Sequence, residues 1–541
     1  MRNLGLLFAT LTACTIGTQP DPPILEVLSP QRSHIQDQPG SITVTGNVSP
    51  NPTGAAVATV TVNGVKATMT GTAWSATIDV PVGATLIHTV ASDEAGGLAT
   101  DTRSVLAGER RAPGAGIDNA IGASISAPAF AKLADVATTA LNAANLTALI
   151  QPLNPVARSG DEAGPDCLYA QGFVDSVTIS NARISLVPVA GGLQINATME
   201  QPRITGHTRH AVACSNGSSQ FTITANAARL GGVLKLSTNG MQGFVGELAN
   251  PVVELPGLEI TATNFPDALL NVLPLEKIIQ AVAPIAVRQF VDPAINDALG
   301  ALAGPQQIQL PERTMTIQVS PRAISFDATG ANAMLDMKLL IAGAENSPGY
   351  TFTPNGMPAL TSTDGLALGI ADDLANDALA QLTATGLLNL NLRQEGAEFN
   401  LAKVTATTPP VVAADGTDGK LRVIVPDLMV TFLDNDRPVA RAAVNAEIPI
   451  AVTPTAGGSS IAIDLGTPAI AIDNLDDLTG LTMPPESEFA RTITLAAGDQ
   501  KGAIADVLKN IPLPKLGGIT LSDVSVGGAN GYVLATTKIG D

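Results

Sequence analysis

The sequence predicts an α+β chain: an N-terminal β-sandwich, then two successive units of long antiparallel strands, each with packed helices. Three observations predict it. Short alternating strands with turn signals fill residues 24–108. Beyond residue 117, longer strand runs alternate with stretches of helical periodicity, and that plan occurs twice. The apolar mass is aliphatic, 45% hydrophobic against 3% aromatic, which suits long strands and smooth apolar surfaces. At 541 residues the chain exceeds one core and accommodates three domains.

The chain opens MRNLGLLFATLTAC, with Arg2 as a basic start and Leu4–Thr10 as a short apolar run. That run cannot span a bilayer and reads as a processing signal. Leu11-Thr12-Ala13-Cys14 resembles the lipobox of bacterial lipoproteins. The resemblance implies that residues 1–13 are removed and that Cys14 becomes the acylated first residue. Its acyl chains exceed the two-signal requirement for stable anchoring. Thr15, where an Asp would favour the inner membrane, implies an outer-membrane lipoprotein facing the periplasm or the cell surface. Residues 14–23 form a polar tether. The best later apolar stretch, Lys277–Val291, is interrupted by Gln280 and Pro284.

Residues 24–108 carry the strands ILEVLSP, SITVTGNV, VATVTVNGVKATM and WSATIDVPVG, with Asn63-Gly64 as a primed-turn hairpin signal. "TVTVNG", Trp74 and "ASDEAGGLATDTRSV" resemble the bacterial immunoglobulin-like modules found beside glucodextranase and other exported proteins. That resemblance implies a spacer, with Trp74 in its core. Residues 109–116 are a linker by composition.

The first unit, 117–311, begins with a helical stretch at Pro128–Ile150. Phe130, Leu133, Ala137, Leu141, Ala144 and Ala148 share one side of it. Strands follow from Cys167, and Asn264–Leu302 is helical again but broken by Pro274, Pro284 and Pro293. The second unit, 312–541, repeats the plan and closes with a helix near Gly502–Asn510 and a final strand pair. Its most informative segment is Thr363–Leu392. There the short strand Leu366-Ala367-Leu368 leads to Asp372 as a helix N-cap. Leu374, Ala378 and Leu382 then form a stripe at spacings of four, and Gly386 stops the helix.

That strand–helix–Gly–strand phrasing, with Asn376 inside the helix, resembles the start of the carboxy-terminal barrel in one lipid-binding family. The family comprises the bactericidal/permeability-increasing, lipopolysaccharide-binding and lipid-transfer proteins. The resemblance implies two elongated barrels of antiparallel strands, each with long packed helices and an apolar groove. The candidate groove residues are Phe130, Leu133, Leu141, Ile279, Leu374 and Leu382, and each also fits simple core packing. Of the three cysteines, lipidation of Cys14 leaves Cys167 and Cys214 as one pair in an oxidising setting. A bridge between them closes about 48 residues and stabilises by at most roughly 4 kcal/mol. Animal members of the family carry one bridge at a comparable separation.

A formal charge of −19 repels phosphate backbones and excludes nucleic acid as a natural partner. It also departs from the cationic tip of the lipopolysaccharide-binding relatives. His207 and His210 lie near Cys214, but residues three apart on a strand face opposite sides, so no metal is expected. Asp434-Asn435-Asp436 and Asp473–Asp477 read as turns. No G-x-S-x-G elbow, H-E-x-x-H pair or P-loop occurs, so neither catalysis nor a cofactor is expected. The expected function is a membrane-anchored lipoprotein that binds or shuttles lipids, with protein partners undefined. The alternative is a non-enzymatic surface or structural interaction protein with closed barrels. A carbohydrate-active enzyme rests only on the company that such immunoglobulin-like modules keep.

Overall fold

The computed structural model describes residues 21–161, 168–212, 214–238, 244–263, 304–310, 313–353, 358, 360, 364–393, 399–413, 421–454, 461–477 and 521–539. Cys14, Cys167 and Ile279 fall outside these ranges, as do the helices expected within 264–302 and 502–510.

Residues 24–107 form two packed sheets. One orders the strands Ile24–Ser29, Gly40–Ser49, Ala73–Val80 and Thr68–Thr70. The other orders His34–Gln36, Leu98–Ala107, Gly83–Asp93, Val57–Val62 and Val65–Lys66, its first pair parallel. Alternation in Ala73–Val80 sends Trp74, Ala76, Ile78 and Val80 inward against Val44, Val60 and Ile87. Trp74 is 2% exposed, so the indole is core. Gly46 lets it in, since a Cβ there would stand 2.5 Å from Trp74 Cζ2. Asn63 and Gly64, at φ 46° and 80°, make the expected hairpin.

The centre of the body is a seven-stranded antiparallel sheet. Its order is Gly304–Leu310, Arg313–Asp327, Gly330–Ile341, Ile117–Ser126, Gly365–Ala371, Tyr532–Ile539, Leu521–Ala529. Ile117–Ser126 runs directly into helix α1 (Ala127–Ala143), and its antiparallel neighbour Gly365–Ala371 runs directly into helix α3 (Asp372–Ala384). The helices therefore leave the sheet at opposite ends. Between them in sequence, helix α2 (Leu146–Ile150) follows α1 at a bend of 89°. The single helix expected over Pro128–Ile150 is thus two. Ala144 is extended, and the Asn145 side chain caps a new start by accepting from Ala148 N–H.

The expected α+β class, with two barrels and long packed helices, is corrected by this structure. Among the described residues strand occupies 66% and helix 10%, so the fold is largely β. Among the described residues there are three α-helices, of 17, 5 and 13 residues, and no sheet closes on itself. The physical reason is visible at the edges, where helix side chains satisfy the strands. Asn142 on α1 accepts from Ala182 N–H at 2.7 Å and donates to Ala182 C=O at 3.0 Å. Thr138 accepts from Ile184 N–H two residues further along the same edge, at 2.9 Å. Thr147 on α2 does the same for Val177, and Asn154 for Val174. An edge satisfied in this way needs no closing strand.

Candidate ligand-binding site

Helix α1 starts at Ser126, whose hydroxyl accepts from Ala129 N–H, and its Pro sits in the first turn, where no N–H is missed. One face is buried through Phe130, Ala134 and Leu141, with Leu133 and Ala137 half-buried beside them. Lys132, Asp135, Val136 and Thr139 face outward. Beneath, Phe130 packs with Leu193, Ile195, Leu234 and Ala331. Around this small core stand six apolar side chains that are only partly buried: Ile125, Leu133, Leu186, Leu236, Leu248 and Phe326. The Phe130 and Phe326 rings are tilted at 6.3 Å.

Helix α3 has the opposite surroundings. Every residue from Asp372 to Leu382 is buried, polar ones included. The stripe Leu374, Ala378 and Leu382 packs into the large core of the second half with Phe399, Val412, Val430 and Phe432. The polar side is enclosed as well, by strand backbones. Asn376 accepts from Val412 N–H at 2.7 Å and donates to its C=O, while Gln381 accepts from Ile341 N–H and donates to Leu339 C=O. Asp372 is the first helical residue rather than the cap, and its carboxylate accepts from Thr353 Oγ1. Gly386, at φ 74°, ends the helix as expected. Leu387 N–H donates to Leu382 C=O and Gly386 N–H to Thr383 C=O, the Schellman pattern.

Asp377 carries the main electrostatic tension of this helix. Burial, partly offset by the bond from Gln381 Nε2 and reinforced by Asp373, pushes its carboxyl up to about 7. Among the described residues its Oδ2 has no hydrogen-bond partner, and the buried Tyr350 lies within its electrostatic reach. Burial and the same two aspartates raise the Tyr350 phenol well above its ordinary range.

The sequence-derived candidates therefore separate. Phe130 and Leu133 meet in the first half, and Leu141 is buried further along the same helix. Leu374 and Leu382, 1% and 3% exposed, are packed in the buried core around α3. Ile279 lies outside the described residues. Cys214 has left-handed backbone, φ 64°, and Cys167 lies outside the described residues. His207 pairs with Asp175 at 2.8 Å and stacks on Phe173, whereas His210 is buried on the other side of the strand. Asp434-Asn435-Asp436 forms the expected turn, but Asp473 stands within the strand Ala469–Asp477. The edge-satisfying residues Thr138, Asn142, Asn376 and Gln381 were not anticipated. Their one signal is an uncharged hydrogen-bonding side chain on a helix otherwise rich in Ala and Leu.

No protein-family signature matches the sequence, and no curated protein matches it. Among solved structures, a lipopolysaccharide binding protein aligns at TM-score 0.40 and 14% identity, over 78% of this chain and 99% of that one. P47 of Clostridium botulinum E1 aligns at TM-score 0.23 and 9% identity, over 78% and 98%.

Proposed function

We propose that the first half of the body binds the acyl part of a lipid alongside α1, and that the second half is a closed scaffold. The observation that carries this reading is the half-buried aliphatic set around Phe130, in a molecule that buries α3 on every side. Covering such surface with an acyl chain gains about 0.8 kcal/mol per CH₂. A sixteen-carbon chain gains on the order of 10 kcal/mol before entropy losses, without any charge. A net charge of −19 agrees with recognition through the chain rather than through an anionic headgroup.

The protein acts, in this reading, as a lipoprotein held in the outer membrane by acylated Cys14, with an immunoglobulin-like sandwich next to the tether. It binds or shuttles lipid and catalyses no reaction. In the same reading Cys167 and Cys214 are bridged to each other. Mass spectrometry of a lipid extract of the purified protein is the decisive measurement, and wild-type protein found empty overturns the reading. Leu133→Asp is expected to lose most bound lipid while unfolding stays cooperative. Cys14→Ala is expected to move the protein to the soluble fraction; membrane retention in high salt refutes the acyl anchor.

A further inference from the structure

The sandwich is bolted to the body by an ion cluster that no part of the lipid reading uses. From the sandwich come Arg32, Ser33 and the strand Leu98–Ala107; from the body come Asp427, Asn445 and Asp473. Asp427 sits at a bulge in the strand Leu421–Asp434, with φ 37°, and is fully buried. Its Oδ2 accepts from Ser33 N–H at 2.7 Å, Ser104 N–H at 2.9 Å and Ser104 Oγ at 2.6 Å. Ser33 meets it with left-handed backbone of its own, φ 58°. Two non-glycine residues held in that region on facing surfaces mark a contact that over-determines both.

Arg32 lies at the centre. Its Nη1 donates to Asp427 Oδ1 at 3.2 Å, to Asp473 Oδ2 at 3.1 Å and to Thr102 C=O at 2.7 Å; its Nη2 donates to Asp101 at 2.9 Å. Arg103 holds the other side of Asp101. Three carboxylates thus share two guanidiniums, which leaves one negative charge in excess at a largely dry interface. The three are not equally served. Asp427 accepts from donors on both oxygens, including Asn445 Nδ2 at 3.0 Å. Among the described residues Asp473 accepts only on Oδ2, from Arg32 and Thr102 N–H.

We propose that this contact is a proton-coupled latch, in which docking of the sandwich on the body takes up one proton at Asp473 and therefore tightens as the solution becomes mildly acidic. Burial, opposed by Arg32 and helped by Asp101, pushes docked Asp473 up to about 6. Exposed in an opened interface, it returns to the ordinary carboxylate range. The docked value is the raised one, so the added stability is present at low pH and is lost as pH rises through about 6. The charged groups of the neighbouring strand Arg437–Pro454 are otherwise engaged or exposed: Glu447 is paired with Arg422 at 2.9 Å, and Arg441 faces outward. His88 reaches the cluster through Thr102 Oγ1, at 2.9 Å.

Hydrogen exchange on the full chain reads the latch directly, because the N–H groups of Ser33, Thr102 and Ser104 are bonded to the two body carboxylates. Corrected for intrinsic rates, their protection is expected to rise about tenfold between about pH 8 and pH 5. Protection that stays flat or falls on acidification overturns the proposal. Asp473→Asn is expected to abolish the slope and to hold protection at its acid level throughout; a wild-type slope in this variant overturns it. If Asp473→Asn is undocked at every pH, Asp101→Asn decides. A smaller slope then supports the latch, and an unchanged slope refutes it. His88→Gln must keep the slope, since its loss would assign the effect to the imidazole.

Discussion

Helices α1 and α3 begin alike and end up in opposite surroundings. Each continues a strand of the central sheet without a connecting loop, and those two strands are paired antiparallel neighbours. Each carries an apolar stripe and an uncharged side chain that satisfies a strand backbone. Yet α1 keeps one face in solvent over a small core, whereas α3 is enclosed on all sides. The difference comes from what packs on each helix from elsewhere in the chain. The strand Gly330–Ile341 before α3 and the strand Val411–Ala413 after it both lie against it, and its polar side is closed by amide bonds to their backbones. One local plan thus yields a face suited to a ligand and a face suited to a scaffold.

The widest predicted gap between the two is the response to a charge. Leu374→Asp places a carboxylate where no water reaches, at a cost of several kcal/mol, and should abolish the cooperative thermal transition of the body. Leu133→Asp, on the half-buried rim of α1, should leave that transition in place. Calorimetry of both variants breaks the comparison if they melt alike.

Next in size is the pH response of the second half. Folded Asp377 is raised to about 7, so its contribution is full below the ordinary carboxylate range and is lost as pH rises through about 7. Asp377→Asn should therefore be more stable than wild type at pH 8, on the order of 1–3 kcal/mol, with the difference vanishing near pH 4. Denaturant unfolding at the two pH values measures it, and equal midpoints at pH 8 refute it.

The smallest gap separates the two edge-satisfying asparagines. Asn376→Ala strands two buried backbone groups of Val412 and should cost about 1–3 kcal/mol. Asn142→Ala opens Ala182 to water, which can replace the lost bonds, and should cost under about 1 kcal/mol. Denaturant midpoints of the pair sharpen the comparison, and equal losses would mean that α1 is as dry as α3.

What the sequence made legible was local. Hairpin chemistry at Asn63-Gly64, the inward alternation around Trp74 and the Gly386 helix stop depend on residues a few positions apart, and each stands as expected. The enclosure of α3 depends on bonds spanning 36 and 42 residues, which periodicity cannot register. Asp473 was read as a turn residue because Asp clusters fold back on their own backbone. Its actual partners, Arg32 and Thr102, belong to a different domain. Likewise, the closed barrels failed because helix amides, invisible in a strand pattern, already occupy the edges a closing strand would need.

The position of Ile117–Ser126 in the middle of the central sheet sets a timetable for folding. One neighbour, Gly365–Ala371, is made some 240 residues after it, and that neighbour's own partner, Tyr532–Ile539, is the last described strand. Tyr532 Oη closes the circuit by donating to Asn119 C=O across 413 residues. Contacts of such separation are slow to form, because the loop entropy is lost before the contact is gained. During synthesis the sandwich can complete itself early, while the strand behind it waits with both edges open. A chain stopped before residue 532 should therefore retain a protease-resistant sandwich and lose the body. Pulse proteolysis of such truncations, with the body surviving intact, would show that the sheet closes without its last strand.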